Sequence, residues 1–407
     1  MRILFIVDDV PHSGSAGGYQ IVFQRLSRLA ARGHEVGVAC FCDPEKQHLG
    51  DELRESVRWV KLVPRPSLQR HAILARALRF RRPWWFARAY SPHMEKVVGD
   101  MVEELEFPVA VAEFSVMGQY FLLNPHLPAV RRVISCHSSP WFSCLRALGV
   151  HRPGSHAWCA LACRMAGMKR FEFTVYRNAD WIITLSPSER YWLLTMAPGL
   201  DISIVPPGVD ITHFVPRPAE KTEKAVMFMG RFADETNVDA VLWFASSVWP
   251  RVVSRHPEMR FYIVGPEPPP AVRTLAKVDS RIVVTGRVAD VRAYLERARV
   301  FVCPVRFGSG LRAKVLEAMA AGVPVVSTVL GMEGIPAEPG GNCFMADKPE
   351  MMAAYVDLLL NDLNLNREIG LAARRTMEQH FDWEKLINSL ESLLQRMVPA
   401  ESADSRA

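Results

Sequence analysis

The sequence lacks the features of several protein classes. No run of about 18 apolar residues occurs in its 407 residues, so we expect no membrane-spanning helix. Its eight cysteines include no CxxC pair, which removes the usual spacing of zinc and thioredoxin sites. We expect them to be small buried residues in a reducing cytosol. The first apolar run, Ile3–Val7, is too short for a signal peptide and predicts a buried first strand in a cytoplasmic protein.

Acidic residues are missing from two long stretches of the first half. None occurs between Glu55 and Glu95 or between Glu113 and Glu172, although the net charge of the chain is only +6. Tryptophan and phenylalanine are interleaved in the first stretch with Arg65, Arg70, Arg76, Arg79, Arg81, Arg82 and Arg88. Contact with the anionic inner membrane face, an ordinary solvated basic surface and nucleic-acid binding all fit this pattern. We expect peripheral membrane contact and no nucleic-acid partner.

Short runs of valine and isoleucine alternate with amphipathic segments of helix length, which is typical of parallel α/β domains. In the first half, strands are predicted at Ile3–Val7, Val36–Phe41, Val57–Val63, Val109–Ala112, Val133–Ser135 and Trp181–Leu185. In the second half, they are predicted at Ala225–Met229, Phe261–Val264, Ile282–Val284, Val300–Pro304 and Pro324–Ser327. Helices are predicted at Tyr19–Ala31, Val238–Ser254, Leu311–Ala321, Pro349–Leu360, Asn366–His380 and Trp383–Met397, and the stretch Ser143–Arg177 is expected to be rich in helix.

The predicted architecture is two Rossmann-like α/β domains facing each other across a cleft. The length allows two domains, and we place them at residues 1–205 and 206–380. A closing helix is expected at residues 381–398, and a disordered tail at 399–407. The stretch 215–224, rich in proline and charge, is the expected linker. Ligands are expected at the carboxyl ends of the strands.

Two candidate binding features follow strands of the first domain. The loop Gly14–Gly18 lies between the first strand and the first helix, where Gly17 and Gly18 would let the backbone approach a phosphate or a sugar. Its spacing is not GxGxxG and no P-loop lysine follows, so a dinucleotide is disfavoured and a plain tight turn is the alternative. His137 follows a strand and is expected at the cleft mouth, with a structural role as its alternative.

The strongest candidate site lies between residues 308 and 326, where a glycine-rich turn leads into a helix. The residues singled out there are Ser309, Gly310, Leu311, Arg312, Lys314 and Glu317. Cations in the first turn oppose the helix dipole, which indicates an anionic ligand such as a diphosphate. The Glu317 carboxylate can accept hydrogen bonds from two ribose hydroxyls. The alternative is an exposed basic helix start with a solvated glutamate.

Arg231 follows the first strand of the second domain and is a candidate phosphate clamp, with an ordinary surface arginine as its alternative. The sequence contains no DxD motif. Because cationic side chains can neutralise a leaving diphosphate, no metal is required. We therefore expect a metal-independent site with no cofactor besides a nucleotide-linked substrate.

Four motifs occur in order along the chain. They are GHEV at 33–36, ADWIITLS at 179–186, PPGVD with a following phenylalanine at 206–214, and LEAMAAGVPVV at 316–326. In these motifs the chain resembles the family 4 retaining glycosyltransferases, which have the GT-B fold. Through Asn237–Val241, Val284–Arg292 and Lys314–Ala320 it further resembles bacterial sugar transferases of exopolysaccharide clusters linked to exosortase protein sorting.

This resemblance implies that the N-terminal domain binds the acceptor, the C-terminal domain binds a nucleotide-sugar donor, and the last helix crosses back to the N-terminal domain. Gly17 and Gly18 would line the donor diphosphate and the acceptor side. His137 would contact the transferred sugar. The base of the donor would lie beside Arg287 and Val288.

The family pattern also assigns roles in the donor site, with two departures. Arg231 would clamp the phosphate, and Glu317 would bind the ribose as the second glutamate of the E-x7-E element. Ser309 stands where the first glutamate of that element holds the donor sugar. The lysine that usually follows the clamping arginine is absent, and Lys314 or Arg312 would supply its charge.

The resemblance implies transfer of a sugar, with retention at the anomeric carbon, from a nucleotide-diphosphate sugar to a glycan or lipid-linked acceptor in exopolysaccharide synthesis. UDP is the expected base because the family uses it most often. Two alternatives stay open: a sugar-nucleotide 2-epimerase of the same fold, and a non-catalytic sugar-nucleotide-binding partner of an assembly complex. The identity of the sugar, the acceptor and the oligomeric state are not encoded in any motif.

Overall fold

The computed structural model describes residues 1–14, 17–216, 224–308 and 310–398, which form two compact units. Unit 1 comprises Met1–Pro206 and the stretch from Glu384 onward, and unit 2 comprises Pro207–Trp383. The units therefore part ahead of the expected linker at 215–224, and residues 217–223 of that linker lie outside the described part of the chain.

Within the described residues, unit 1 contains a seven-stranded parallel sheet with the order β3-β2-β1-β4-β5-β6-β7. The strands are β1 (Arg2–Val7), β2 (Glu35–Cys42), β3 (Trp59–Pro64), β4 (Val109–Glu113), β5 (Arg131–Cys136), β6 (Trp181–Thr184) and β7 (Ile202–Ile204). The central strands are buried on both faces, as their continuous apolar runs require. Strand order reverses between β1 and β4, which is where ligands bind in such sheets.

Helices cover both faces of this sheet. They are α1 (Gly18–Ala31), α2 (Gln47–Ser56), α3 (Arg70–Arg79), α4 (Trp84–Ala87), α5 (Pro92–Leu105), α6 (Pro140–Val150), α7 (His156–Arg164), α8 (Met168–Arg177) and α9 (Pro187–Met196). The expected helix-rich stretch is confirmed as three helices, which Gly154 and Gly167 separate with φ angles of 77° and 69°. The prediction of buried cysteines is wrong for Cys159 and Cys163, because α7 buries none of its residues.

Unit 2 repeats this plan with six parallel strands in its described part, in the order β10-β9-β8-β11-β12-β13. The strands are β8 (Ala225–Met229), β9 (Arg260–Val264), β10 (Ile282–Gly286), β11 (Val300–Cys303), β12 (Val325–Ser327) and β13 (Phe344–Met345). Strand order reverses between β8 and β11. The two strands that the sequence did not predict, β7 and β13, have three and two residues and lie at sheet edges.

The helices of unit 2 are α10 (Glu235–Trp243), α11 (Trp249–Val253), α12 (Pro270–Val278), α13 (Arg292–Leu295), α14 (Ala313–Ala320), α15 (Pro349–Asn361) and α16 (Leu363–His380). The single helix predicted at 238–254 is wrong in one respect. A π-helical turn over Phe244–Val248 separates α10 from α11. Pro250, the second residue of α11, has no amide hydrogen to donate.

The last helix, α17 (Trp383–Met397), packs on unit 1. Ile387, Leu390 and Leu394 join the core cluster that β1 and β2 form with α1. On the rim of this contact, Arg32 donates to Glu384 at 2.7 Å and to Glu391 at 2.9 Å. Among the described helices, none is both long enough and apolar enough to span a lipid bilayer.

Candidate functional site

Unit 1 contains a buried charged cluster at the carboxyl ends of β4 and β5. Glu113 ends β4, and His137 directly follows β5. Nε2 of His137 lies 2.7 Å from Oε2 of Glu113, whose Oε1 lies 3.4 Å from Nη1 of Arg25 on α1. Burial opposes ionisation of Glu113, but the charge of Arg25 and the bond from His137 outweigh it and lower its pKa to about 2. An ionised carboxylate only accepts hydrogen bonds, so Nε2 of His137 carries a hydrogen.

The other ring nitrogen of His137 points toward the start of α1. This Nδ1 atom is buried and has no hydrogen-bond partner among the described residues. A methyl group on Gly18 would lie 3.1 Å from Nδ1 and 2.7 Å from the ring of Phe114. Gly17 precedes the helix at a φ of 62°, which favours glycine. The helix-start amides and the unpartnered nitrogen together suit a sugar hydroxyl or a phosphate oxygen.

The loop Gly14–Gly18 and His137 are separate candidates in the sequence, and the structure places Gly18 beside His137. Within that loop, Ser15 and Ala16 lie outside the described residues. No sequence pattern indicated Glu113, which orients His137, or Arg25, which pairs with Glu113. Glu113 carried a signal, since it is a carboxylate directly after the strand predicted at Val109–Ala112.

A second polar cluster lies past the carboxyl ends of β1, β2 and β3. The hydroxyl of Tyr19 donates to Oδ1 of Asp8 at 2.8 Å, and burial raises the pKa of Asp8. Asp9 bonds two cations: Nη2 of Arg65 at 3.0 Å and Nζ of Lys46 at 2.8 Å. These groups lie at the ligand-binding edge of the sheet. Among them, the sequence indicated only Arg65, as part of the basic stretch, and the structure pairs it with Asp9.

In unit 2, Lys314 joins α14 to the segment that follows β8. Its Nζ donates to Oδ1 of Asn237 and lies 4.4 Å from the ring centroid of Phe228. Nδ2 of Asn237 donates to the carbonyl of Arg231 at 2.7 Å. A methyl group on Gly230 would lie 2.8 Å from Nζ of Lys314, so the backbone there approaches the amine closely. The structure thus joins two candidates that are 83 positions apart, through Asn237, a residue to which the sequence analysis gave no role.

Arg231 lies at the same edge of the sheet, two residues past β8. Its side chain is 43% exposed, and its Nε lies 3.9 Å from Oε2 of Glu267. That separation is at the limit of an ion pair, and exposed pairs of this kind contribute little. The guanidinium can therefore turn toward an anionic ligand without losing a strong contact.

Lys314 and Glu317 lie one turn apart on α14, and both are half-buried. Burial lowers the pKa of Lys314 to about 8. Burial raises the pKa of Glu317 to about 7, against the opposing effect of the Lys314 charge. Strongly perturbed groups of opposite sign at a ligand-binding edge are typical of functional sites.

The remaining candidates border this group. Gly310 has a φ of 85°, Leu311 is buried, and Arg312 is the N-cap residue directly before α14. Arg287 and Val288 follow β10, two strands away from β8, with Arg287 exposed and Val288 half-buried. Ser309 lies outside the described residues.

Two family models match the chain in sequence. The model for Glycosyltransferase Family 4 matches residues 16–213, and the model for Glycosyl transferases group 1 matches residues 223–362. The first covers most of unit 1 and the second most of unit 2, so the two candidate sites fall in separately recognised halves.

Curated relatives match at low identity over part of their length. A phosphatidyl-myo-inositol mannosyltransferase of Mycobacterium tuberculosis is 28% identical over 222 residues, covering 51% of this chain and 57% of the relative. The Vi polysaccharide biosynthesis protein VipC/TviE of Salmonella typhi is 30% identical over 204 residues, covering 46% of this chain and 34% of that protein. The chain thus spans about half or less of the length of these relatives.

Solved structures match over almost the full length. Sucrose-phosphate synthase from Thermosynechococcus elongatus has a TM-score of 0.75 at 18% identity, covering 98% of this chain and 99% of that one. HepE from Anabaena, solved with UDP-glucose, has a TM-score of 0.70 at 15% identity, covering 97% and 100%. At these identities the likeness shows the fold, which is GT-B. With the two family models and the two Rossmann-like units, it establishes that the chain belongs to the family 4 glycosyltransferases of the GT-B fold.

Proposed function

We propose that this protein is a retaining glycosyltransferase that moves a sugar from a nucleotide-diphosphate sugar to a glycan or lipid-linked acceptor in cell-surface polysaccharide synthesis. The observation that carries the proposal is the group formed by Lys314, Glu317 and the backbone after β8. It combines a half-buried amine with a half-buried carboxylate at the point where strand order reverses. The amine of Lys314 can bind a diphosphate, and the carboxylate of Glu317 can accept hydrogen bonds from a ribose.

In the proposed reaction, the bond between the anomeric carbon and the diphosphate breaks, and the acceptor hydroxyl forms a new bond on the same face of the sugar. The leaving diphosphate takes the proton of that hydroxyl. Arg231, Lys314 and the amides at the start of α14 neutralise the charge that develops on the diphosphate. Because these cations come from the protein, the proposal requires no metal and no cofactor, and activity should persist in a chelator.

Unit 1 would orient the sugar and receive the acceptor. Nδ1 of His137 is the one atom of its ring available to a sugar hydroxyl, since Nε2 is engaged by Glu113. The start of α1 lies next to it, since a methyl group on Gly18 would lie 3.1 Å from Nδ1. The acidic and basic groups around Asp9 would bind the acceptor, a glycan or lipid-linked glycan.

UDP is the proposed donor base. HepE was solved with UDP and with UDP-glucose, and TarM with UDP, which supports this choice by likeness of fold. A lipid-linked acceptor would bring the protein to the anionic inner face of the membrane as a peripheral, otherwise cytoplasmic, enzyme.

The test is thermal unfolding with UDP, GDP and ADP, on the wild type and on Glu317→Ala. A ligand at 100 times its dissociation constant stabilises a fold by about 2.7 kcal/mol. Stabilisation of the wild type by one nucleotide, lost in Glu317→Ala, would support the donor site and identify the base. No stabilisation by any of the three would overturn the proposal.

A second candidate function rests on Ser309, which stands where the family has the glutamate that holds the donor sugar. It is a non-catalytic partner that binds a sugar nucleotide within an assembly complex. Product analysis separates the two functions. Nucleotide binding without release of nucleoside diphosphate, with lipid extracts supplied as acceptors, would favour the partner. Transfer with inversion would instead overturn the retaining mechanism.

A further inference from the structure

Helix α3 exposes apolar side chains along one face. His71, Leu74, Ala75 and Leu78 are all exposed and are spaced three and four apart, so they lie on one side of the helix. The exposed fractions of Leu74 and Leu78 are 52% and 73%, and Leu68 before the helix is 50% exposed. Adjacent exposed leucines of this kind mark interaction sites more often than isolated ones do.

The fold holds this face outward. Ile73 on the opposite side of α3 is 3% exposed and fixes the helix to the core. Nε of Arg76 donates to the carbonyl of Ala87 at 2.9 Å, and Phe80 packs on Tyr90 with ring centroids 4.7 Å apart. The helix is therefore anchored through its inner side, and its leucines stay exposed without any rearrangement.

Cations surround the apolar face. Arg70, Arg79 and Arg81 are exposed at its two ends. No acidic residue occurs from position 56 to 94, and Glu95, the next one, is buried and bonded to Arg82 and Tyr90. The surface around α3 thus carries positive charge that no neighbouring carboxylate along the chain offsets.

The second acid-free stretch, residues 114–171, meets the first one in space. Phe86 of α4 packs against Phe171 of α8 with ring centroids 4.8 Å apart, and the guanidinium of Arg82 lies 5.6 Å from the same ring. Lys169 and Arg170, directly before Phe171, are exposed. Two segments that are separate in sequence therefore contribute to one basic region of unit 1.

We infer that α3 is a docking surface for an anionic lipid bilayer. Leu68, Leu74 and Leu78 enter the boundary between head groups and acyl chains, and the flanking arginines bind lipid phosphates. Nucleic acid is the less suitable partner, because single strands are bound by stacking on aromatic rings and the exposed face of α3 presents leucines. This inference deepens the proposed function and rests on it in one respect: it names the surface through which the transferase reaches a lipid-linked acceptor.

The experiment is co-sedimentation of the full chain with vesicles of phosphatidylcholine alone and of phosphatidylcholine mixed with phosphatidylglycerol. We expect binding to the mixed vesicles only, and weaker binding at high salt because exposed charges are screened. The double variant Leu74→Ser/Leu78→Ser should lower the partition coefficient at least tenfold. Arg70→Glu/Arg79→Glu should do the same at low salt.

The matched control is Leu363→Ser/Leu371→Ser on α16, whose leucines are 58% and 43% exposed in unit 2. The inference would be overturned if the control and test variants lost vesicle binding equally. It would also be overturned if the wild type bound only neutral vesicles or bound no vesicles. RNA binding that displaces the vesicles and is unaffected by the leucine changes would overturn it as well. Because the α3 leucines are exposed, their variants should have the same melting temperature as the wild type.

Nucleotide binding, measured by thermal shift on the same preparations, separates this inference from the proposed function. Vesicle binding by a chain that binds no nucleotide would overturn the donor site and leave α3 as a membrane surface. Nucleotide binding by a chain that ignores anionic vesicles would overturn the α3 inference alone.

Discussion

Nε2 of His137 lies 2.7 Å from Oε2 of Glu113, inside the core and at the carboxyl ends of two adjacent strands. This bond fixes which nitrogen of His137 is left for a ligand. It also joins His137 to Arg25, because the same carboxylate balances the guanidinium charge. The orientation of His137 and the balance of the buried Arg25 charge therefore both depend on the Glu113 carboxylate.

Removing Glu113 should destabilise the fold strongly. Glu113→Ala leaves Arg25, which is 1% exposed, as a buried charge without its carboxylate. Breaking a buried ion pair from one side costs about 3–5 kcal/mol. We expect that loss in the free energy of unfolding by urea. Glu103→Ala, at an exposed position on α5, is the control and should change it by about 0.5 kcal/mol or less. Similar values for the two variants would contradict the assigned pairing.

The same pair predicts a pH dependence of stability. Because the folded pKa of Glu113, about 2, lies below its ordinary value of 4.5, its ionised form stabilises the fold at every pH above about 4.5. That contribution is lost as the pH falls from about 4.5 toward about 2. The difference in unfolding free energy between wild type and Glu113→Gln should therefore be full at about pH 7 and should shrink through this window. A difference in unfolding free energy that stays constant down to about pH 3 would refute the lowered pKa of Glu113.

Donor affinity should pass through a maximum between about pH 7 and about pH 8. Glu317 must be ionised to accept from ribose hydroxyls, and its pKa is about 7. Lys314 must be protonated to bind a diphosphate, and its pKa is about 8. Affinity should fall about tenfold per unit outside this range, since one proton is gained or lost on each side.

The probe for this profile is UDP-glucose in calorimetry, because its substituted diphosphate does not titrate in this range. Glu317→Gln should flatten the acid side of the profile, and Lys314→Arg should flatten the alkaline side. A profile that keeps both slopes in both variants would show that other groups control binding.

Secondary-structure elements with a local sequence pattern could be predicted from the sequence. Contacts between residues far apart in the chain could not. Strands such as Ala225–Met229 were located to the residue, because apolar runs buried on both faces are continuous. The pairing of Arg25 with Glu113 joins positions 88 apart, and neither residue type indicates its partner. Asn237 was likewise missed as the link between Lys314 and Arg231, since an amide in a helix is usually solvated.

The charged surface and the burial of the cysteines show the same contrast between local pattern and tertiary packing. The acid-free stretches could be found by inspection of the sequence, but their meeting through Phe86 and Phe171 depends on tertiary packing. The exposure of Cys159 and Cys163 could not be predicted, because a helix of small apolar residues fits a core and α7 packs only partly against one.

Lys314→Met should separate donor binding from stability. Burial lowers the pKa of Lys314 from its ordinary 10.5 to about 8. Below about pH 8 the amine is charged in both the folded and the unfolded chain, so its burial destabilises the fold, and removing the charge offsets the lost bond to Asn237. We expect the unfolding free energy to change by about 1 kcal/mol or less. Donor affinity should fall at least tenfold in calorimetry. Lys348→Met, at an exposed position before α15, is the matched control and should bind as the wild type does. Unchanged affinity in Lys314→Met would rule out Lys314 as the missing cation of the family pattern.

Gly18→Ala should weaken donor binding through His137. The added methyl group would lie 2.7 Å from Cε1 of Phe114 and 3.1 Å from Nδ1 of His137, so the rings must move and Nδ1 is covered. One lost hydrogen bond of this kind corresponds to about 1 kcal/mol, or about a fivefold loss of affinity for the nucleotide sugar, and the strain of crowding adds to it.

Gly149→Ala is the matched control, because a methyl group there has no atom within 4 Å and the position lies inside α6. An alanine in place of a helical glycine should raise stability by up to about 1 kcal/mol and leave binding unchanged. Binding of UDP alone should be affected less by Gly18→Ala than binding of UDP-glucose, since His137 is assigned to the sugar. Equal losses for the two ligands would place His137 at the diphosphate instead, and no loss for either would remove it from the donor site.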